Sequence, residues 1–599
     1  MIQPNQTSNT STDSSGITAP DEIEVSARIH LEGTHSRALE VGRSRLLLTG
    51  VVFAAAFVMI LFRLVDLTYF AGAPSVASAP KMAPTAFVRA DVVDRNGVVL
   101  ATSLPVVSLY ADPARVLDAA EAADQLAAIL PNLDRDTVFK RLSGGGRFVW
   151  LARTLTPRQQ HAVNRLGLPG IGFQKAERRV YPHGGSVGHI LGLTDIDGRG
   201  TAGIEKEFDH RLSTDATPLQ LSIDLRAQSL VRDALVNSVK EFKAVGGAAV
   251  VMDVNTAEIV AMVSLPEIDP NQPDNAVGDA AFNRATKGVY EVGSVFKLLT
   301  AAMALDMGIV DLEDGYDASK PLRIGRFAIS DYHAKNRWLS VPEILVYSSN
   351  IGSAKMALDV GAKNQQNYLR QLGLLDPVDL ELPEVGRPMS PKTWRDVNTM
   401  TISYGHGIAV SPLQMTNAIV TVVNGGVKRS PTLMVGGNHG LTPTRVFSRT
   451  TSRTMRGLMS LVVERGTGRK AQVRGYRIGG KTGTADKLSD TGSYERNKRI
   501  SSFVGAVPMN DPRFVVFAMV DEPVGNERTA NYATGGWVAA PVVGNIVRGL
   551  APMFAIAPDA AHLAGDGLEK KRARTEQERR QRINDAIRRM AAEIRIEAE

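Results

Sequence analysis

Apolar and polar positions alternate along this chain in distinct textures. From about residue 87 to 235, short strand-like runs such as VRADVVDRNGVVLATS are separated by polar turns. Within that stretch VLDAAEAADQLAAIL and TPRQQHAVNRLG carry helical spacing. From about 245 the texture changes. GGAAVVMDVNTAEIVAMVS reads as two apolar strands around a polar Asn255–Thr256 turn, a hairpin. Helical patterns then dominate to about residue 425, and strand-like runs return in RIGGKTGTA, RISSFVGAVP and FVVFAMVDEP. Strands, a helical block, then strands again predict an α+β domain with helices packed on a mostly antiparallel sheet.

The ends read differently. Residues 1–45 are rich in Ser, Thr and Asn and predict a disordered tail. Leu46 to Phe62 is an uncharged apolar run, extendable to residue 66 by snorkelling of Arg63, which predicts one transmembrane helix. Arg37, Arg43 and Arg45 precede it, so the positive-inside rule puts the N-terminus in the cytoplasm. VASA, Val76 to Ala79, resembles a signal-peptide cleavage site, but it lies far beyond the apolar run and the preceding tail is long, which favours an uncleaved anchor. A linker is expected over 67–86. Residues 557–599 form a charged extension with Ile583, Ile587, Met590 and Ile594 at helical spacing, read either as a solvated helix or as a partner-binding one.

The 599-residue chain has room for several domains, and it contains no cysteine. Disulfides, a thiol nucleophile and thiolate metal sites are thereby excluded. The net charge of +7 is spread out, with no aromatic-studded basic stripe, so nucleic acid is not an expected partner.

Candidate chemistry begins at EVGSVFKLLTAAMAL, where Lys297 sits in an oily run three residues after Ser294. On a helix the two share one face. An ammonium in apolar surroundings has its pKa pushed down and becomes a base able to activate a serine. Alone, the pair reads as readily as a lysine snorkelling from a core helix. Two further motifs follow: VYSSNIGSAKMAL with Ser348 and Asn350, and GYRIGGKTGTADK with Lys481, Thr482, Gly483 and Thr484. Each alone reads equally as a turn or an exposed edge.

Ser-x-x-Lys, Ser-x-Asn and Lys-Thr-Gly in this order resemble the motif set of penicillin-binding proteins and serine β-lactamases. Acyl transfer needs a nucleophile, a base, a proton relay and donors to an oxyanion. Ser294 is the expected nucleophile and Lys297 its base, Ser348 the relay, and Asn350 a holder of Lys297 and of a substrate amide. Lys481 adds a like charge that disfavours a second ammonium at Lys297. The hydroxyls of Thr482 and Thr484 suit a substrate carboxylate, and Gly483 lets a substrate backbone lie along the strand edge. The N–H groups of Ser294 and Thr484 are the expected oxyanion hole.

From about 88 to 545 the chain resembles class B penicillin-binding proteins. VRADVVDRNGVVLA, ERRVYPHG and GTAGIEKEFDHRL are similar to the pedestal motifs of that class, around Arg178, Arg179, Tyr181, Gly203, Glu205 and Asp209. SYGHGIAVSPLQM and ERGTGRKAQVRGYRIGGKTGTA are similar to its division-specific FtsI type. The resemblance implies a single N-terminal membrane helix, a β-rich non-catalytic pedestal over 87–235, and a transpeptidase domain over 236–556 with helices on both sides of an antiparallel sheet. It implies a periplasmic D,D-transpeptidase of septal peptidoglycan synthesis, acylated by D-Ala-D-Ala stem peptides and by β-lactams. It places Tyr404, Gly405, His406 and Gly407 at the cleft, where a Gly-rich packing turn is the plainer reading. Implied partners are a SEDS-type, FtsW-like glycan polymerase and divisome proteins. No cofactor or metal is called for. An elongation-type transpeptidase, a serine carboxypeptidase or β-lactamase, and a divisome scaffold remain as alternatives. The length and pedestal disfavour the hydrolases, and the complete motif set disfavours the scaffold.

Overall fold

The computed structural model describes residues 48–62, 89–325, 327–437, 442–488, 494–560 and 576–596. The chain divides into two bodies, residues 1–86 and 87–599. In the first, residues 48–62 are helical and apolar side chains such as Phe53, Phe57 and Phe62 are exposed. Among the described residues no helix is long and apolar enough to cross a membrane. The expected span 46–66 runs beyond the described helix at both ends, and the expected tail 1–45 and linker 67–86 lie outside the described residues.

The second body begins with strands β1 (Val92–Val93), β2 (Val99–Ala111), β3 (Val149–Leu155), β4 (Ile171–Val180) and β5 (Leu219–Gln220). They form one sheet in the order β3–β2–β1–β5, with β4 also paired to β2. Three short helices cover it through Leu126, Val138 and Val163, packed against Leu109 and Leu151. The base of this region is held by a buried carboxylate. Glu205 accepts from Arg89 Nε and Arg179 Nε, both at 2.7 Å, while Arg89 Nη1 reaches Asp209 at 2.7 Å. A buried charge needs such paired, hydrogen-bonded surroundings.

Helix α1 (Leu225–Glu241) follows, N-capped by Asp224. The boundary expected at 235/236 falls inside this helix. Its inner face, Ala227, Val231 and Leu235, packs on the second sheet as one piece. That sheet contains β6 (Gly246–Asp253) and β7 (Ile259–Leu265), the hairpin read from the sequence. Then come helices α2 (Phe296–Asp306), α3 (Val341–Tyr347), α4 (Asn350–Val360), α5 (Pro412–Val423) and α6 (Arg449–Arg465). Strands β8 (Gly479–Leu488), β9 (Tyr494–Val507) and β10 (Phe514–Asp521) complete the sheet, followed by α7 (Ala539–Met553) and α8 (Glu576–Ile596).

The five strands run β8–β9–β10–β6–β7, antiparallel throughout. Every residue of β6, β7 and β10 is buried, because helices cover both faces. The period of two decides which face each meets. Val250, Met252, Val515 and Phe517 point to the helical block with α2 and α5. Ala249, Val251, Val516 and Ala518 point to α1 and α7. Helix α5 is buried on all sides, as its apolar sequence requires. Strand β8 lies at the sheet edge beside the N-terminal end of α2, and this brings distant motifs together.

Helix α8 packs one face on the rest of the chain. Ile583, Ile587 and Met590 are buried in the helical block against α6, where a Cβ added to Gly457 would lie 2.3 Å from Met590 Sδ. A fully buried isoleucine contributes about 1.5–3 kcal/mol. Ile583→Asp is therefore expected to release α8 and raise protease cleavage within 576–596 at least tenfold. Unchanged cleavage in a timed digest would show that this packing does not hold the helix.

Candidate active site

Gly293, Ser294 and Val295 form one 3₁₀ turn that runs into α2. Ser294 is partly exposed between buried neighbours. Gly293 has φ +60°, and a Cβ there would lie 2.5 Å from the Thr484 carbonyl oxygen. Gly405, at φ +84°, would in turn place a Cβ 2.2 Å from Gly293 O. Only glycine allows both approaches, so strand β8 and the loop 404–407 rest directly on the serine turn.

Lys297, the second residue of α2 and fully buried, has three acceptors. Its Nζ donates to Asn350 Oδ1 at 2.7 Å, Ser348 O at 2.6 Å and Ser348 Oγ at 3.1 Å. Lys481 Nζ, also buried, reaches the same Ser348 Oγ at 2.9 Å and Thr482 Oγ1 at 3.3 Å. One hydroxyl thus bridges two lysines. Ser348 is the C-cap of α3, left-handed at φ 59° and ψ 46°. That conformation is uncommon for a residue with a Cβ and marks a place where packing imposes the backbone.

The next helix is set by a residue the sequence reading missed. Asp331 accepts from Asn350 N at 2.6 Å, Ile351 N at 3.0 Å and Ser349 Oγ at 2.7 Å, so it caps the start of α4. Asn350 Nδ2 donates to Ser330 O at 3.0 Å, which turns its Oδ1 toward Lys297.

Burial, and then the nearby Lys481 ammonium, hold Lys297 well below the usual lysine range, while Asp331 pulls the other way. Burial pushes Lys481 down to about 7. Desolvation disfavours the charged form of each, and two ammonium groups on one hydroxyl disfavour each other.

On β8, Gly483 packs so closely that a Cβ would meet Val292 O at 2.1 Å and Ser502 Oγ at 2.3 Å. Thr482 Oγ1 lies 2.7 Å from Thr467 Oγ1, and Thr484 Oγ1 accepts from Gly535 N at 3.0 Å. With that lone pair occupied, the Thr484 hydroxyl keeps its own proton for a ligand. No local sequence pattern marks Thr467 or Gly535 as neighbours of this strand.

The structure joins Lys297, Ser348, Asn350, Lys481 and Thr482 in one hydrogen-bonded cluster, and packs Gly483 and Thr484 directly on the backbone at Val292 and Gly293, beside Ser294. The loop of Tyr404, Gly405, His406 and Gly407 borders it. His406 lies 5.3 Å from the Tyr404 ring and 5.8 Å from the Tyr494 ring, and Gly407 N donates to Glu291 Oε1 at 2.8 Å. Among the described residues no group of His, Asp or Glu is arranged to hold a metal ion.

A serine turn at the head of a buried helix, an edge strand beside it and a separate β-rich base are the architecture of a serine acyl-transfer enzyme of the penicillin-binding class. A family model described as the penicillin binding protein transpeptidase domain matches residues 247–548, and one for the penicillin-binding protein dimerisation domain matches 85–224. The probable peptidoglycan D,D-transpeptidase FtsI of Caulobacter vibrioides is 38% identical over 482 residues, 78% of this chain and 82% of the relative. The peptidoglycan D,D-transpeptidase FtsI of Escherichia coli K12 is 34% identical over 506 residues, covering 79% and 84%. Among solved structures, penicillin binding protein 3 of Mycobacterium tuberculosis complexed with ampicillin matches with a TM-score of 0.63 at 22% identity, over 79% of this chain and 96% of that one, a likeness of fold. The transpeptidase domain of Burkholderia pseudomallei penicillin-binding protein 3 matches at 33% identity and a TM-score of 0.50, over 56% and 97%. This chain belongs to the penicillin-binding protein family and, within it, to the FtsI-type peptidoglycan D,D-transpeptidases.

If Lys297 is the base it must be neutral to accept a proton, and acylation by benzylpenicillin should then rise with pH through its lowered pKa. The rise should finish well below 10.5, the ordinary lysine value. A fall should follow above about 7 as Lys481 loses its charge. Lys297→Arg, which cannot deprotonate, should acylate about a thousandfold more slowly. Stopped-flow acylation rates across pH 5–10 check both. A profile still climbing at pH 10 would contradict the depressed lysine.

Proposed function

We propose that this enzyme cross-links peptidoglycan at the division septum, with Ser294 as nucleophile and Lys297 as its base. The observation that carries the reading is the Ser348 hydroxyl, 3.1 Å from Lys297 Nζ and 2.9 Å from Lys481 Nζ. Neutral Lys297 takes the Ser294 proton as Oγ attacks the carbonyl carbon of the penultimate D-Ala. The N–H groups of Ser294 and Thr484 stabilise the resulting oxyanion. The proton passes from Lys297 through the Ser348 hydroxyl to the leaving amine. The C–N bond then breaks, D-Ala departs and an acyl-serine remains. An amine of a second stem attacks the ester, gives its proton back along the same route and leaves as the new amide, with Ser294 restored.

The donor's terminal carboxylate is bound by the Thr482 and Thr484 hydroxyls beside the charge of Lys481. The donor backbone lies along the β8 edge at Gly483, with Asn350 taking a substrate amide. Tyr404, Gly405, His406 and Gly407 line the same cleft. A β-lactam enters as a donor mimic whose ring opening leaves no departing amine, so the acyl-serine persists. Residues 46–66 serve as a single uncleaved anchor in the cytoplasmic membrane, with a cytoplasmic tail before it and a linker to a periplasmic pedestal and transpeptidase domain. A SEDS-type glycan polymerase and other divisome proteins are the partners of this reading.

Labelling with a fluorescent penicillin followed by intact mass is the test. Wild type should carry one stable adduct of penicillin mass, and Ser294→Ala none. An adduct that survives the mutation would remove Ser294 from its role. Rapid loss of the adduct to water would make the chain a hydrolase.

A further inference from the structure

A carboxylate just before the serine turn has no assigned role. Glu291 lies three residues before Ser294, and Gly407 N donates to its Oε1 at 2.8 Å. The Tyr494 hydroxyl lies 3.2 Å from both of its oxygens. All these donors are neutral. Asp486, nearby on β8, is already paired with Arg499 at 3.1 Å, whereas Glu291 has no ion-pair partner among the described residues. Burial raises its pKa, as expected of a carboxylate that lacks a cation. The rings of Tyr404, His406 and Tyr494 stand beside it, and His406 Nδ1 is buried without a hydrogen-bond partner. Aromatic walls ending in an unpaired carboxylate suit an ammonium carried on an aliphatic stem.

The direction of β8 says which part of the substrate arrives there. With the donor carboxylate at Thr482 and Thr484 and its reacting carbonyl at Thr484 N–H, the donor chain runs antiparallel to β8. Its upstream residues then pass Ala485 and Asp486 toward Leu488, which pairs with Tyr494. We propose that Glu291, supported by Tyr494, is the specificity residue for a cationic side chain on the donor residue that precedes D-Ala-D-Ala. This rests on the function proposed above.

The experiment uses two synthetic stem pentapeptides ending in D-Ala-D-Ala. They are identical except that the third residue is lysine in one and Nε-acetyl-lysine in the other. Acylation of the full-length enzyme is followed by competition with a fluorescent penicillin, and each rate is expressed per penicillin-titratable site. Wild type should take the free-amine donor about tenfold faster, as expected for a partly desolvated charge pair. Glu291→Gln should bring the ratio close to one, Glu291→Asp should retain part of it, and Tyr494→Phe should lower it two- to threefold. A wild-type ratio near one, or a ratio unchanged in Glu291→Gln, overturns the proposal. If the glutamine variant does not fold, an unchanged ratio in Tyr494→Phe does the same. Penicillin labelling at Ser294 in wild type separates the two readings, since an enzyme that labels without discriminating between the donors sinks only this one.

Discussion

Two buried lysines sharing one serine hydroxyl are the constraint around which the transpeptidase domain is arranged. Burying an ammonium is costly, and burying two side by side is tolerable only if at least one gives up its proton. The surroundings supply acceptors instead of counter-charges. Lys297 is held by the side-chain oxygen of Asn350, the Ser348 carbonyl and the Ser348 hydroxyl. A carboxylate in direct contact would have kept the ammonium charged. The nearest relevant one, Asp331, is engaged with the backbone at the start of α4.

Much of the remaining architecture holds those two amines in place. Lys297 is fixed by α2 and Lys481 by the edge strand β8. The close approaches at Gly293, Gly405 and Gly483 leave no room for either to drift from the serine turn. The left-handed Ser348 between α3 and α4 turns both its carbonyl and its hydroxyl inward. The pedestal is latched to this unit as well. Gly203 N donates to the Glu384 carboxylate, at 3.3 and 3.2 Å from its two oxygens. Arg95 pairs with Glu258 at 2.7 Å, and Ser222 N donates to Leu433 O at 2.7 Å.

A large part of the candidate site was legible because its motifs are local. A serine and a lysine three apart at the head of an apolar helix specify their own geometry, and so does Lys-Thr-Gly-Thr on a strand. The hairpin around Asn255 and Thr256 was legible for the same reason. Asp331, Thr467, Gly535, Glu291 and Tyr494 were not. Each acts through a partner that is distant in the chain, and no local period announces it. Asp331 caps a helix that starts 19 residues later, and Thr484 is held by a glycine 51 residues away.

Sequence alone determined the broad order of the elements, the α+β class, and the three motifs from which the candidate site is built. Hydrophobic periodicity and residue chemistry are properties of short segments, and they survive without knowledge of the fold. Only the tertiary structure decided that Ser348 stands between both lysines, that α1 belongs to the second sheet, and that the charged C-terminal helix packs Ile583, Ile587 and Met590 against α6. Those outcomes depend on which surfaces are closest once both faces of the sheet are covered, and no short stretch of sequence carries that information.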